Sequence, residues 1–368
     1  MHRRSWLRWL AAASAPAFAQ ARAQARAQAP DAPPSALRFP VDFGAHPQSR
    51  TEWWYLTGSL GSGARLWGFQ VTFFRAATGI AGASASRFEA SQLLFAHAAL
   101  TDLEQRRLRH DQRAARSGFG IAQAQVDDTA VTLRDWQISR APGADHPQRS
   151  RYTVRVASDR AGFGLALAVD ATQPVLLQGE AGVSKKGPGA DETSRYYSEP
   201  QLVARGTLAL DGRPIAVQGR AWLDHEWSDA FVPAQAVGWD WIGMNLDDGS
   251  ALTAFRLRRA DGSSVHAGGS FRRAGEAVRA FGPGVLRFTP GRIWESAASR
   301  ARYPVQWRIE TPIGRFGVSA LLDNQELDSR ASTGAIYWEG LSDLFDDTGR
   351  RVGRGYLEMT GYAAPLRL

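Results

Sequence analysis

Residues 52–58 read Glu52-Trp53-Trp54-Tyr55-Leu56-Thr57-Gly58, and this stretch decides the fold class of the chain. Aromatic and β-branched side chains favour the pleated, partly buried surface of a strand. The stretch is followed by Gly63 and by a second apolar run that reaches Phe69. A strand, a glycine-containing turn and another strand are typical of a β-hairpin, which we therefore predict here.

The hairpin has a second copy later in the chain. Trp53-Trp54-Tyr55-Leu56 aligns with Trp239-Asp240-Trp241-Ile242, and in the same register Phe69 falls on Phe255. Three further pairs of segments match in the same order: Tyr152–Val154 with Tyr303–Val305, Tyr197–Glu199 with Tyr337–Glu339, and Gly219–Asp224 with Gly353–Glu358. An ordered set of matches predicts an internal duplication.

The composition favours β-structure throughout the chain. Its 368 residues include 13 Trp, 17 Phe and 37 Gly, and turn signals such as Asp211-Gly212 separate short alternating segments. Closed antiparallel barrels leave no exposed sheet edge and can hold one small ligand. We therefore predict an all-β protein of two tandem β-barrel domains related by duplication. The predicted boundaries are a linker at 28–38, a first domain at 39–232 and a second domain at 233–368.

The first 27 residues are typical of an export signal. Arg3-Arg4-Ser5-Trp6-Leu7-Arg8 resembles the twin-arginine pattern, an Ala-rich apolar stretch follows, and Ala25-Arg26-Ala27 is one of several small-x-small sites for a signal peptidase. We predict a signal peptide at 1–27 and a periplasmic or secreted mature protein. A disordered basic arm is the alternative interpretation, and general export is the alternative route.

Charge and cysteine content exclude several classes of protein. Removal of residues 1–27 takes away five arginines and no acidic residue, which lowers the formal net charge from +8 to +3. The remainder has no basic stripe interleaved with aromatics, so we predict no nucleic-acid partner. The absence of Cys excludes disulfides, a thiolate nucleophile and Cys-ligated metal. The sequence has no phosphate-binding loop, so we predict no cofactor, and it has no G-x-S-x-G elbow, so we predict no serine hydrolase. It also lacks paired metal-ligand spacing and a long apolar run, so we predict no metal site and no membrane span.

Three ionisable residues, Asp224, His225 and Glu226, end an apolar strand. Strand alternation puts His225 and Trp227 on one face and the two carboxylates with Trp222 on the other. If a cavity lies on one side, either the imidazole or the carboxylates face it, and two carboxylates could divide acid and base roles. A charged strand end paired with an arginine is the alternative.

Glu52 shares a strand face with Trp54 and Leu56. Desolvation beside Trp54 would raise the pKa of Glu52 and suit a general acid. The alternative is a structural Glu–Arg pair that plugs one end of the barrel. Trp239 and Trp241 lie on the face opposite Asp240, as core residues or as a platform for a ligand.

Five segments carry a family resemblance: His46-Pro47, Glu52–Gly58, Tyr196-Tyr197-Ser198, Trp222–Trp227 and Gly238–Trp241. From Phe39 to the C-terminus the chain resembles the AttH-type lipocalin-like family, which is similar to the N-terminal region of carotenoid 1,2-hydratases and includes predicted secreted hydrolases. The resemblance implies a two-domain lipocalin-like fold with an apolar-ligand site. The hydratase pattern pairs His-x-Trp with a later aromatic-x-Asp. Here His225-Glu226-Trp227 matches the first part, but Leu252–Arg256 lacks the carboxylate, which argues against carotenoid hydration by that residue set.

Together these observations predict a site for a hydrophobic small molecule of isoprenoid or fatty type, inside one barrel or where the two halves meet. For catalysis we predict hydratase or isomerase chemistry, in which Glu52 or Asp224 protonates the substrate beside Glu226, His225 accepts a proton or orients water, and Tyr197 donates a hydrogen bond. The predicted ligand-binding residues are Trp54, Tyr55, Trp227, Trp239, Asp240, Trp241 and Lys186. A non-catalytic carrier that serves a membrane transporter is the alternative function.

Overall fold

Almost all regular structure in the chain is β-strand. The computed structural model describes residues 36–80, 90–144, 146–229 and 232–366, and the one helix in those ranges is the 3-10 turn Val41–Phe43. The all-β prediction is confirmed. The predicted signal peptide at 1–27 and most of the predicted linker lie outside the described residues. No helix within the described ranges is long and apolar enough to cross a membrane.

Thirteen strands belong to the first half of the chain. They are β1 Thr51–Ser62, β2 Arg65–Ala77, β3 Gln92–Asp102, β4 Arg107–Arg116, β5 Ala122–Ala124, β6 Ala130–Leu133, β7 Trp136–Pro142, β8 Ser150–Ser158, β9 Phe163–Asp170, β10 Leu176–Leu177, β11 Val183–Lys185, β12 Thr193–Leu210 and β13 Arg213–Ser228. The second half contains β14 Gly238–Leu246, β15 Ala251–Arg258, β16 Ser264–Arg272, β17 Arg279–Phe281, β18 Arg287–Pro290, β19 Ile293–Glu295, β20 Arg302–Pro304, β21 Gln306–Thr311, β22 Gly314–Ala320, β23 Glu326–Ser329, β24 Ala335–Phe345 and β25 Arg351–Met359.

The strands of the first half form one sheet. Its order runs β4-β3-β2-β1-β13-β12-β9-β8-β7-β6-β5, with the short β10 and β11 paired to β12. The predicted hairpin is β1 and β2, which pair antiparallel around Gly63 at φ +60°. Glycine adopts this left-handed conformation more readily than residues that carry a side chain. Strand β4 forms one edge of this sheet and β6 lies next to the opposite edge, yet the two strands are in contact. The sheet therefore curls almost into a closed barrel.

The second sheet repeats this connectivity. Its order is β17-β16-β15-β14-β25-β24-β22-β21-β18, with β23 paired to β24, while β19 and β20 form a separate ribbon. In each sheet the first strand lies between its hairpin partner and the last strand. Leu56 of β1 faces Leu223 of β13, and Ile242 of β14 faces Leu357 of β25. This is the register that the alignment of the two halves requires, while a common ancestor of the halves stays a prediction.

Each sheet buries one face in a core that side chains fill. Trp54 and Leu56 lie in the core of the first sheet, and Ile242 and Leu357 lie in the core of the second. A third apolar cluster lies between the sheets and includes Tyr55, Trp222, Trp241 and Tyr356. The two sheets belong to one compact unit, Leu37–Leu368. Both faces of β1 at 52–58 and of β13 at 221–228 are covered, so the polar side chains of these segments are buried on either side, whereas Gln218 and Arg220 of β13 are exposed.

Candidate functional site

A cavity of about 290 Å³ lies between the two sheets. Trp53, Tyr55 and Phe74 form one wall, and Trp239 and Trp241 belong to the opposite wall. Strand alternation explains the first wall, because Trp53 and Tyr55 point away from the core of their own sheet. The cavity therefore lies where the two halves meet, which is one of the two predicted locations. Its titratable lining residues are Glu52, Tyr55, Arg75, His97, Lys186, Glu226, Tyr337, Glu339 and Glu358.

Two carboxyl groups of this lining, Glu339 and Glu358, lie directly opposite each other on β24 and β25. Neither residue forms an ion pair with any described residue, in contrast to the pairs made by Glu52 and Glu226. The Glu339 Oε1 atom and the Tyr55 hydroxyl are buried and lie near each other, but neither has a partner among the described residues at hydrogen-bond distance and angle. The pair is thus the part of the cavity with the least satisfied polar atoms.

Burial controls the protonation of this pair. It raises the pKa of Glu339 well above its usual range, the neighbouring charge of Glu358 raises it further, and the nearby Tyr55 and Tyr337 hydroxyls offset the rise only in part. Burial also raises the pKa of Glu358 to about 8, against a hydrogen bond from Trp239. Two such close carboxyls titrate as a pair and retain a proton at neutral pH. A carboxylic acid held protonated beside an apolar cavity can act as a general acid.

His97 closes one side of the cavity in its neutral form. Burial lowers the pKa of its imidazole to about 3. The Ser332 hydroxyl donates to Gln112 and therefore accepts the hydrogen on His97 Nε2, at 2.8 Å. The Tyr337 hydroxyl then donates to Nδ1, also at 2.8 Å.

Asp224 lies between the sheets, on the cavity side of β13. Its carboxylate accepts hydrogen bonds from the Trp222 indole at 2.8 Å, the Tyr196 hydroxyl at 2.9 Å and the Ser198 hydroxyl. Burial raises the pKa of Asp224 to about 7 although these three donors lower it. The Trp241 indole donates to the Tyr196 hydroxyl at 3.1 Å. Asp224 therefore positions Trp241, a wall of the cavity, through Tyr196.

Glu226 and Lys186 meet at another part of the lining. Lys186 Nζ lies 2.6 Å from Glu226 Oε1, and the Ser194 hydroxyl also donates to this oxygen. Lys186 is 3% exposed, and its ammonium lies 4.4 Å from the centroid of the Phe255 ring. Lys186, in the connection between β11 and β12, thus contributes a buried cation to the cavity wall.

His225 points to the opposite side of β13, into the core of the first sheet. Its Nε2 atom lies 2.9 Å from Glu52 Oε1, and its Nδ1 atom lies 3.0 Å from the Tyr197 hydroxyl. Burial lowers the pKa of His225 to about 4, although Glu52 favours the charged form. Since Glu52 is a carboxylate, the hydrogen of the neutral ring is on Nε2, and Nδ1 accepts from Tyr197. Alternation is confirmed, and it separates the imidazole from Asp224 and Glu226.

Glu52 is an ionised member of this network. Burial raises its pKa, but hydrogen bonds from His225 and His46 outweigh burial and hold the pKa below the usual range. Arg75 Nε donates to Glu52 Oε2 at 2.7 Å, and His46 Nδ1 lies 2.7 Å from Oε1. The raised pKa predicted for Glu52 is therefore wrong, because the sequence did not show these partners. The structural alternative, a buried Glu–Arg pair, describes the observed geometry.

His46, Glu52 and His225 could also be considered as metal ligands. Their nearest ligand atoms lie within 4.8 Å of one another. Each of these atoms already has a hydrogen-bond partner, and the Arg75 guanidinium lies against the same carboxylate. A cation here would have to displace two protons beside a fixed positive charge, so the donor set suits protons better than a metal.

Three predicted ligand-binding residues lie outside the cavity lining. Trp54 stacks on His225 with ring centroids 4.6 Å apart, and Trp227 stacks on His46 at 3.7 Å, both on the core side of the first sheet. Asp240 is buried on the core side of the second sheet, where Arg256 Nε donates to it at 2.7 Å and the Tyr362 hydroxyl at 2.8 Å. Alternation places these side chains away from the cavity. Tyr55, Trp239, Trp241 and Lys186 line it.

Sequence reasoning did not select Glu339 or Glu358, although a signal was present. In the alignment of the halves, Glu339 matches Glu199 and Glu358 matches Asp224. A carboxylate that recurs in apolar strands of both halves is unusual. Glu199, however, lies on the core side of its sheet, where the Tyr152 hydroxyl donates to it, so the alignment alone does not place its counterpart in the cavity.

Fold and site together define a class of protein, in which two curled antiparallel sheets enclose a cavity that combines aromatic walls with buried carboxyl groups. The chain belongs to the AttH-like family, which matches residues 30–362. The predicted family resemblance is thereby confirmed. The crystal structure of an AttH-type protein from Nitrosomonas europaea is 45% identical in sequence, covers 91% of this chain and 100% of its own, and has a TM-score of 0.82.

Two more distant structures share the fold. Kievitone hydratase from Nectria haematococca is 16% identical, with 89% of this chain and 94% of the hydratase covered and a TM-score of 0.66. CghA in complex with Sch210972 is 14% identical, with 85% and 88% covered and a TM-score of 0.52. A search of curated protein sequences gives no significant match. At these identities the two structures establish a common fold and nothing more.

Proposed function

We propose that the protein is an acid–base enzyme of the hydratase or isomerase type, which acts on a hydrophobic small molecule in the cavity between the sheets. One observation carries the proposal: Glu339 and Glu358 face each other, without a basic partner in the described chain, at a cavity with aromatic walls. The reacting carboxyls are then those of Glu339 and Glu358, in place of Glu52 and Asp224, which were predicted from the sequence. The common fold with a protein named as a hydratase also supports it.

The chemistry balances with the proton of one carboxylic acid of the pair. The protonated member of the pair donates its proton to one carbon of a C=C bond, and the aromatic walls stabilise the positive charge that forms on the other carbon. In a hydration, water adds to that carbon and loses a proton to the carboxylate that the first step has formed. In an isomerisation, the carboxylate instead takes a proton from a neighbouring carbon. Either way the pair ends with the proton count with which it began.

The remaining polar groups have supporting roles in this proposal. Asp224 holds Trp241 through Tyr196, and Lys186 neutralises Glu226 at the cavity wall. Tyr197, His225 and Glu52 join β12, β13 and β1 through hydrogen bonds on the core side of the first sheet, where Glu52 also reaches the edge of the cavity.

The test begins with the native ligand. Apolar molecules that copurify with the protein from its own cells are identified by mass spectrometry and then incubated with the protein in D2O. The wild type should place deuterium on carbon, and Glu358→Gln and Glu339→Gln should slow this about 100-fold or more. Glu276→Gln, an exposed carboxylate of the same half, is the matched control. Bound ligand without deuterium incorporation would leave the carrier that serves a transporter as the better hypothesis.

We also propose that the protein is exported, with cleavage near residue 28, and that its halves arose by duplication. The start of the family match at residue 30 and the common strand order of the two sheets support these proposals. N-terminal sequencing of the protein from a periplasmic fraction tests the first: a mature chain that begins before residue 20 would contradict the predicted cleavage.

A further inference from the structure

The cavity lining contains more acidic than basic groups. Glu52 is paired with Arg75 at 2.7 Å, and Glu226 is paired with Lys186 at 2.6 Å. These two pairs use the basic side chains of the lining that the structure describes. Glu339 and Glu358 remain, and no described residue supplies a positive charge to them. Because the raised pKa values keep protons on this pair at neutral pH, a bound cation could take the place of one of these protons, which makes an added positive charge favourable here.

Two unpaired polar atoms mark the same place. Glu339 Oε1 and the Tyr55 hydroxyl oxygen are buried, line the cavity and lack a hydrogen bond within the described residues. Glu339 is 2% exposed and Tyr55 is 6% exposed. A buried polar atom without a partner is costly, and native structures rarely retain one without a functional reason. A ligand that brings positive charge against Glu339 would remove this cost.

The walls of the cavity suit such a charge. Trp53, Tyr55, Trp239 and Trp241 present aromatic surface to the cavity, and aromatic faces attract cations. The protein already holds one cation in this way, because Lys186 Nζ lies 4.4 Å from the Phe255 ring centroid and 5.0 Å from that of Tyr196. Aromatic surface beside two carboxyls that have no basic partner in the described chain is the chemistry that recognises an organic ammonium group.

We propose that the cavity binds an apolar organic cation, whose charge lies between Glu339, Glu358 and the aromatic walls. The inference rests on the proposed function, since protonation of a carbon by the pair would leave a cation beside a new carboxylate. A permanent cation of similar shape reproduces that charge distribution. Ligands with a fixed positive charge should therefore bind more tightly than neutral ligands of the same shape.

Three probes of nearly equal shape test this directly: benzyltrimethylammonium, its neutral carbon analogue neopentylbenzene, and the anion phenylmethanesulfonate. Binding to the full chain is measured by tryptophan fluorescence at neutral pH. The cation should bind about tenfold or more tightly than the neutral probe, and the anion should bind most weakly. Glu339→Gln should remove the preference for the cation and leave the affinity for neopentylbenzene within about twofold. Glu276→Gln should retain the preference, and Glu358→Gln serves if Glu339→Gln fails to fold.

Equal affinity for the cation and the neutral probe would overturn the inference, as would failure of all three probes to bind. A cation preference that survives both Glu339→Gln and Glu358→Gln would place the charge elsewhere and would also overturn it. The deuterium experiment separates this inference from the proposed function. Selective cation binding without deuterium incorporation would support the cation site and contradict acid–base catalysis.

Discussion

At the scale of single residues, Glu52 shows how completely neighbours determine the role of a carboxyl group. Taken alone, a glutamate beside Trp54 suggests a raised pKa and a proton donor. In the structure Glu52 accepts from Arg75, His46 and His225, and the same burial that would raise its pKa also strengthens these hydrogen bonds. The group is consequently a fixed negative charge that orders the strands around it.

Replacement of this charge should destabilise the fold. Glu52→Gln leaves Arg75 buried without its counterion, and we expect a loss of about 3–5 kcal/mol in the free energy of unfolding at pH 7, measured with urea. Because the pKa of Glu52 is depressed in the folded state, its contribution is present above its unfolded value near 4.3 and lost as the pH falls below it. The difference from wild type should therefore shrink between pH 5 and pH 3. Adding Arg75→Met should recover part of the loss at pH 7, and equal stability of Glu52→Gln and wild type would contradict this account.

At the scale of strands, the sequence predicts which side chains share a face, but it does not predict which face borders the cavity. The period of two correctly grouped Glu52 with Trp54 and His225 with Trp227. It could not say which group faces a cavity, because both faces of β1 and β13 around these residues are covered, one by a core and the other by the second sheet. The pairing of Glu339 with Glu358 depends on the register between β24 and β25, which no local pattern in either strand contains.

This strand pair should give the protein a characteristic pH dependence. The folded pKa of Glu358 is about 8, above the unfolded value near 4.3. Between these values the folded form keeps a proton that the unfolded form has lost, so stability falls as the pH rises toward 8. Asp224, whose folded pKa is about 7, acts in the same sense. We expect a lower urea midpoint at pH 9 than at pH 6, and a smaller decrease in Glu358→Gln. A decrease of the same size in Glu358→Gln as in Glu276→Gln would show that Glu358 is not responsible.

At the scale of the whole molecule, the two sheets are joined by polar contacts as well as by apolar burial. The sequence repeat correctly suggested matching sheets but could not indicate how they meet. Asn245 of β14 accepts a hydrogen bond from the Gln201 backbone N–H at 2.7 Å and donates to the Ala221 carbonyl at 3.0 Å. Gln178 donates to Thr253 at 3.0 Å. Since the cavity walls come from both sheets, the contacts that hold the sheets together also determine the shape of the cavity.

These contacts predict that the two sheets unfold together. Asn245→Ala removes both hydrogen bonds and leaves the buried Gln201 N–H without the partner it has in the wild type, which should cost about 1–3 kcal/mol in the free energy of unfolding. Because the loss affects the interface between the sheets, thermal unfolding followed by tryptophan fluorescence and by far-ultraviolet circular dichroism should give one coincident transition, shifted to lower temperature in the variant. Glu276→Ala should leave the midpoint unchanged. Two separate transitions in the wild type, or a shift in Asn245→Ala seen by only one of the two probes, would mean that each sheet is stable without the other and that the cavity is not fixed by their contact.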